Sequence, residues 1–402
     1  MDTITHGIIG ALIGKAFFAG ESPPTRSWRE PPTTTGRAAI CAATLGAVFP
    51  DIDTLAGPIA HNPLAIMTWH RGITHSLVLL PVWAIILVVL TRWLGGRLRW
   101  PVPRLPILFL IYTVGLGSHI FLDLITSFGT MIWSPINYAR SAWDWLFIVD
   151  LTLTSLALLP QLAAWAFEVP GGTSRRAVPL WVAFSFAAFT LIPITHLLDV
   201  PYSVTAAVTA TAVFAFFFLL PLRRKAGSRL NRTRYSRVGV TLVVIYISFA
   251  GTMHHIALRH VTGFARQSGI DAQEVAALPL PPSPARWAGM IAAPSGLYRL
   301  EFNEFSGEPV ALRYFPQALP NRYIVAANEL RDVQIFRWFA RFPLSQYYEL
   351  DGKPVVLITA MSFYRSRGQQ QRPIDPGMTN FTYRVVFSPE ARVVSHGWVR
   401  PE

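Results

Sequence analysis

Eight apolar runs, separated by polar or proline-bearing stretches, leave this chain few ways to fold. A helix needs about 20 apolar residues to cross the hydrocarbon core of a bilayer. Six runs reach that length, at roughly 73–91, 106–127, 145–167, 178–198, 203–221 and 238–258. Two more, about 4–19 and 38–50, are helical in pattern but marginal in length. Charged residues make up only 14% of the chain and hydrophobic residues 52%, whereas soluble domains carry about 25% charge. The expected fold is an α-helical polytopic membrane protein with about 6–8 membrane helices. Pro160 and Pro193 fall within or near the ends of these helices and are expected to kink or terminate them.

The net charge of +13 is gathered in short tracts between apolar runs: Arg92 to Arg104, Arg175-Arg176, and Arg223 to Arg237. If all eight segments cross, loops 20–37, 92–105, 168–177 and 222–237 share one side and hold 16 Lys and Arg. The opposite connections hold only Arg71 and Arg140. By the positive-inside rule the N-terminus, the loops after residues 50 and 127, and everything beyond 260 are expected to be extracytoplasmic. The basic loops suit an anionic lipid surface. No nucleic-acid reading module accompanies them, so no nucleic acid is expected as a partner. Cys41 stands alone, which excludes an internal disulfide and a thiolate metal site. The first residues lack a basic region, so a cleavable signal peptide is not expected.

Past residue 279 the texture changes. Pro279 to Pro284 reads as a proline-rich linker, followed by short alternating or β-branched runs at 297–303, 310–316, 333–340, 354–360, 381–388 and 392–399. Turn signals such as Ser306-Gly307, Asp351-Gly352 and Pro376-Gly377 separate them. The expected organisation is a membrane-embedded helical domain over 1–160, additional transmembrane helices over 161–260, a linker over 261–290, and a small β-rich domain over 291–402. Trp338, Phe339 and Phe342 are expected in the core of that last domain.

The polar residues of the first 150 positions are selective: His6, Asp51, Asp53, His70, His75, His119, Asp123, Asp144 and Asp150 all fall near the outer helix ends. Ionisable groups at membrane depth are costly and usually face a polar interior. His119 and Asp123, four apart, share a helical face. They can chelate one divalent ion, or simply bond to each other. Phe49-Pro50-Asp51-Ile52-Asp53 ends an apolar run with two carboxylates in what reads as an extended turn after a helix-breaking proline. They can bridge metals or merely start a solvated loop. His70-Arg71-Gly72-Ile73-Thr74-His75-Ser76 brings two histidines and an arginine to the start of a spanning helix, which Thr74 could cap. Asp2 and His6 are also four apart, and Asp2 reads equally well as a residue that favours the helix start. His61, His196, His254-His255, His260 and His396 read as interfacial, solvated or partnerless.

His6, Asp51-Ile-Asp53, His70-Arg-Gly-Ile-Thr-His75-Ser and His119-Ile-Phe-Leu-Asp123, in this order and spacing, resemble the signature of the YdjM-like family of inner-membrane metal-dependent hydrolases. The resemblance covers residues 1 to about 155, with Ser134-Pro135 and Asp150 included. It implies a bacterial inner (cytoplasmic) membrane protein with a hydrolytic metal site. More remotely, the ligand pattern is similar to that of zinc-dependent phospholipase C and related nucleases, where the N-terminal amine is itself a ligand. In this sequence Met1 precedes Asp2.

On that resemblance and the residue types, His6, Asp53, His70, His75, His119 and Asp123 are the expected metal ligands. Asp51 would bridge or support them, Arg71 would bind a substrate oxyanion, and Asp150 would orient a histidine or act as general base. So many ligands without cysteine suggest two or three divalent ions, Zn²⁺ first and Mn²⁺ as an alternative. The expected activity is hydrolysis of a lipid-linked or amphipathic phosphate ester at the extracytoplasmic face. Ion or proton transport through the same cluster, and a membrane scaffold displaying the C-terminal domain, are the other readings. The oligomeric state is not legible.

Overall fold

The computed structural model describes residues 1–20, 34–55, 59, 64–167, 173–197, 203–219, 232–281, 283–306, 311–364 and 381–399. The basic loops 20–37, 168–177 and 222–237 lie largely outside these residues, as do His61, the Pro376-Gly377 turn and the Gly of Ser306-Gly307. The chain divides into two units, Met1–Ile52 with Arg71–Ala250, and Asp53–His70 with Gly251–Glu402.

The first unit is helical: α1 (Thr3–Ile13, continued by a π-turn over Gly14–Phe18), α2 (Thr34–Val48), α4 (Leu80–Leu98), α5 (Leu105–Leu124), α6 (Leu151–Ala166), α7 (Thr173–Leu197), α8 (Val204–Phe218) and the first part of α9 (Arg232–Gln267). A four-residue helix α3 (Ala65–Thr68) precedes α4 in the chain and belongs to the second unit. Among the described residues, five helical stretches, Gly36–Leu55, Leu80–Leu98, Leu105–Leu124, Arg176–Pro193 and Arg232–Gln267, are long and apolar enough to span a membrane. Three shorter apolar helices, Thr3–Phe18, Leu151–Ala166 and Val204–Phe216, accompany them. Large apolar side chains such as Val82, Ile85, Val89 and Trp93 point outward from α4, as a lipid-facing helix requires.

Small residues set the packing. α2 lies against both α1 and α5. A Cβ at Gly10 would stand 2.5 Å from the Ala47 Cβ and 2.8 Å from the Ala43 carbonyl. One at Gly115 would stand 3.0 Å from that carbonyl and 3.1 Å from the Ala47 nitrogen. Small residues at these crossings let backbones approach where lipid gives little hydrophobic drive for association.

Several boundaries differ from those expected. The helix anticipated from residue 73 starts at Leu80, because Arg71 takes a left-handed conformation (φ 59°) and Ile73–His75 form a 3₁₀ turn. Thr74 does not cap it; the Ser76 hydroxyl accepts from the Val78 and Leu79 amides instead. Phe49–Leu55 winds as a 3₁₀ helix rather than an extended turn. The run from residue 145 becomes helical only at Leu151, behind the N-cap Asp150, since Leu146 bridges Thr126 and Asp144 is left-handed (φ 58°). Pro160 and Pro193 lie inside α6 and α7, which continue past them.

The second unit holds two four-stranded antiparallel meanders. One is β1 (Glu274–Leu280), β2 (Arg286–Ala293), β3 (Gly296–Asn303) and β4 (Ala311–Pro316). The other is β5 (Pro343–Leu350), β6 (Lys353–Ala360), β7 (Thr382–Phe387) and β8 (Val393–Trp398). Leu278, Met290 and Leu297 of the first sheet pack against Phe342, Leu344 and Met361. Its opposite face, through Ala277, Trp287 and Ile291, covers Met253, Ala257 and Val261 of α9. A sheet buried on both faces shows an unbroken apolar run instead of alternation. Residues 261–290, expected as a linker, are therefore the end of α9, β1 and the first half of β2, with Pro279 tolerated on the edge strand β1. Residues 333–340 are not a strand. Helix α11 (Arg331–Phe339) stands there, directly after α10 (Arg322–Glu329), with Val333, Phe336 and Phe339 buried at a spacing of three. Phe339 and Phe342 are buried as expected, while Trp338 is exposed.

Gly10→Val should separate α1 from α2. Overpacking of this kind costs about 1–3 kcal/mol, and the drop should appear in thermal unfolding of the detergent-purified chain. Valine at Gly96, where an added Cβ meets nothing within 4 Å, is the comparison.

Candidate metal centre

Four donors converge in the helical unit. Ligand atoms of Asp51, His75, His119 and Asp123 all lie within 4.8 Å of one another. His119 and Asp123 come from the last turns of α5, Asp51 from the 3₁₀ turn after α2, and His75 from the turn before α4. The histidines and Asp123 are fully buried.

The close α2–α5 contact fixes one ring. His119 Nδ1 stands 2.6 Å from the Ala47 carbonyl oxygen. A carbonyl only accepts, so Nδ1 carries the proton and donates, and in the neutral ring Nε2 presents a lone pair. That Nε2 faces His75 Nε2 at 3.0 Å, Asp51 Oδ1 at 3.5 Å and Asp123 Oδ2 at 3.7 Å. His75 Nε2 is in turn 3.2 Å from Asp123 Oδ2 and 3.8 Å from Asp51 Oδ1. Its Nδ1 meets the Thr74 hydroxyl at 3.0 Å. Two imidazole nitrogens cannot approach at this distance with both lone pairs bare; a proton or a cation must lie between them. A ligating histidine ordinarily donates its other N–H to a carbonyl or carboxylate, as His119 does here. The donor set, two imidazoles and two carboxylates without sulfur, suits a divalent ion of the zinc or manganese kind.

The surroundings hold these groups in place. His6 stacks on His119 with ring centroids 3.6 Å apart, and its Nε2 lies 3.1 Å from Asp123 Oδ1. Asp2 caps α1, accepting from the Thr5 amide and hydroxyl. The Thr3 hydroxyl donates to Asp51 Oδ2 at 2.5 Å. Arg71, also buried, sets its Nε 2.8 Å from Asp123 Oδ2 and donates through Nη1 to the Thr126 hydroxyl at 2.9 Å. The Met1 amine also contacts Asp123.

His6, Asp51, Arg71, His75, His119 and Asp123 are thus brought together in one unit. Arg71, expected on a substrate oxyanion, is engaged with a carboxylate of the cluster itself. Asp150, expected to orient a histidine or act as base, accepts from the Leu153 amide as the α6 N-cap and from the Tyr246 hydroxyl, each at 2.9 Å. Asp53 and His70 belong to the second unit, where Asp53 Oδ1 and His70 Nδ1 lie 2.7 Å apart. His260 pairs with Glu304, His396 with Tyr383, and His254 lies against Trp287; the His196 side chain lies outside the described residues. Sequence reasoning passed over Thr3, Thr126 and the Ala47 carbonyl. Thr126 could have been found three residues after Asp123, where its hydroxyl bonds back to the Asp123 carbonyl at 2.8 Å. A backbone carbonyl leaves no signal.

The family model described as YdjM inner membrane protein matches residues 1–198. That stretch carries every donor of the cluster. The N-terminal half of this chain is YdjM-like. The match also supports the membrane and inner-membrane reading of the helices. The Bacillus subtilis (strain 168) protein YfhP, described as uncharacterized, is 28% identical over 173 residues, which is 43% of this chain and 48% of that protein. The chain therefore spans about half the length of that curated relative. No solved structure matches.

Breaking a buried ion pair by removing one partner costs about 3–5 kcal/mol, because the other charge is left uncompensated. Arg71→Met should show a loss of that size in denaturant unfolding. The Arg71→Met/Asp123→Leu double variant should lose clearly less than the two single changes added together.

Proposed function

We propose that this chain is a membrane-bound metal-dependent hydrolase acting on a phosphate ester of an amphipathic or lipid-linked substrate at the extracytoplasmic face. One observation carries the reading: His119, its Nδ1 proton committed to the Ala47 carbonyl, aims a lone pair at His75 Nε2 between two carboxylates. The match to an inner-membrane family supports the setting. Asp51, His75, His119 and Asp123 would hold the ion, with His6 beside them. A divalent ion held there supplies a water of lowered pKa and an electrophile for the phosphoryl oxygens.

The protein's own part is positional. Arg71 and Thr126 fix the Asp123 end of α5, so that its carboxylate faces the two imidazoles. Thr3 holds Asp51 Oδ2 and leaves Oδ1 toward His75 and His119, where it can also accept a proton from a bound water. The cluster draws on the start of α1 and the ends of α2 and α5, one end of the helical unit. A substrate with an apolar tail in the bilayer and its phosphate at that end fits this placement. Asp150, at the start of α6, contributes by holding that helix to Tyr246. Asp53 and His70 remain candidates for a further ion.

Purified full-length protein should contain stoichiometric zinc or manganese by elemental analysis, and chelation should abolish hydrolysis of generic phosphodiesters. His119→Ala and Asp123→Ala should lose the metal and at least about 100-fold in rate, since even groups behind a ligand are worth 10–100-fold. Metal-free protein of full activity, or cation flux in proteoliposomes without hydrolysis, would remove the proposal.

A further inference from the structure

At the other end of the helical unit lies a cavity of about 510 Å³ that the metal chemistry does not use. It stands beyond the end of α1, beside the C-terminal half of α6 and the starts of α7 and α9. Lys15, on the π-turn that follows α1, lines it together with Arg232, the first residue of α9. Among the described residues no carboxylate lines it. Lys15 Nζ donates to Gln161 Oε1 at 2.8 Å, and Gln161 is itself braced by the carbonyls of Ile8 and Ala157, so this ammonium is held at the wall. Much of the remaining lining is apolar, chiefly Leu162, Trp165 and Leu180.

A second observation points to a ligand. Ser236 lines the same cavity, is buried, and its hydroxyl makes no hydrogen bond among the described residues. A buried hydroxyl without a partner costs free energy, and a helical serine usually bonds back to the preceding turn. Here it is available to a group inside the cavity. Two cations, one hydroxyl donor and an apolar wall together describe the recognition of a head-group phosphate joined to an acyl chain. The volume falls within the range of ordinary ligand sites.

We infer that this cavity is a binding site for an anionic phospholipid, its phosphate between Lys15, Arg232 and Ser236 and its chain along Leu162, Trp165 and Leu180. The site is independent of the metal centre. It lies at the end where basic residues predominate in the sequence, which is where an acidic leaflet would meet the protein.

The experiment uses the full chain in a neutral detergent, with native mass spectrometry for retained lipid and thermal unfolding for stabilisation. Phosphatidylglycerol at about 100 times its Kd should be retained and should raise Tm by several degrees; phosphatidylcholine should do neither. Lys15→Gln/Arg232→Gln should abolish both effects, whereas Arg97→Gln/Arg99→Gln, exposed arginines elsewhere in the chain, should preserve them. Ser236→Ala covers the case in which the double variant does not fold: it should raise Tm without lipid and weaken phosphatidylglycerol retention about tenfold, the worth of one hydrogen bond to a charged group. Equal stabilisation by inorganic phosphate overturns the lipid assignment. So does retention unchanged in Ser236→Ala and in the double variant, or lost equally in the Arg97/Arg99 control.

Discussion

An imidazole on one helix can reach a backbone carbonyl on another only where the two backbones nearly touch. In this protein that proximity is a matter of missing side chains. Gly10, Ala43, Ala47 and Gly115 strip the α1–α2 and α2–α5 crossings down to main chain, and the His119 ring bridges what is left to the Ala47 carbonyl. The tautomer, and with it the direction in which the lone pair points, follows from the helix crossing. His6 stacks on the same ring from α1, so three helices meet around one imidazole. Larger residues at those crossings would leave every donor in the sequence and still scatter the centre.

The membrane architecture was readable because lipid imposes it by length and hydropathy alone. The types and order of the clustered residues were readable too: His119 and Asp123 at one helical turn, and the His70–Ser76 motif, cannot be hidden by packing. What the residues do to one another was less visible. Arg71 looked like an anion receptor because a guanidinium near histidines serves equally for substrate or for structure; only the position of Asp123 decides. Asp53 and His70 are the first and last residues of one stretch of the second unit, and spacing in sequence does not tell which unit claims a side chain.

The C-terminal strands show a different limit. Alternation reveals a sheet with one wet face, and β4, with exposed Leu312 and Tyr314, has one. β1 and β2 lie between a helix and a second sheet, so their residues read as a featureless apolar run broken by prolines. The run 333–340, expected as a strand, buries Val333, Phe336 and Phe339 of α11 at helical spacing, a period of three to four that a run this short shares with a strand.

Arg71 couples two demands that rarely coincide. Its backbone lies at φ 59°, a conformation that glycine adopts freely and other residues hold only at a cost of about 1–3 kcal/mol. Its carbonyl accepts from the Met131 amide at 2.9 Å, which ties the turn to the segment after α5. Glycine would relax the backbone and lose the guanidinium; lysine would keep the charge and lose the forked reach to Asp123 and Thr126 together. No amino acid offers both the forked cation and an easy left-handed turn, and arginine supplies the first at the cost of the second. The position is therefore closed to drift from two sides at once, and the strain stored in the main chain is held there by the ion pair it makes possible.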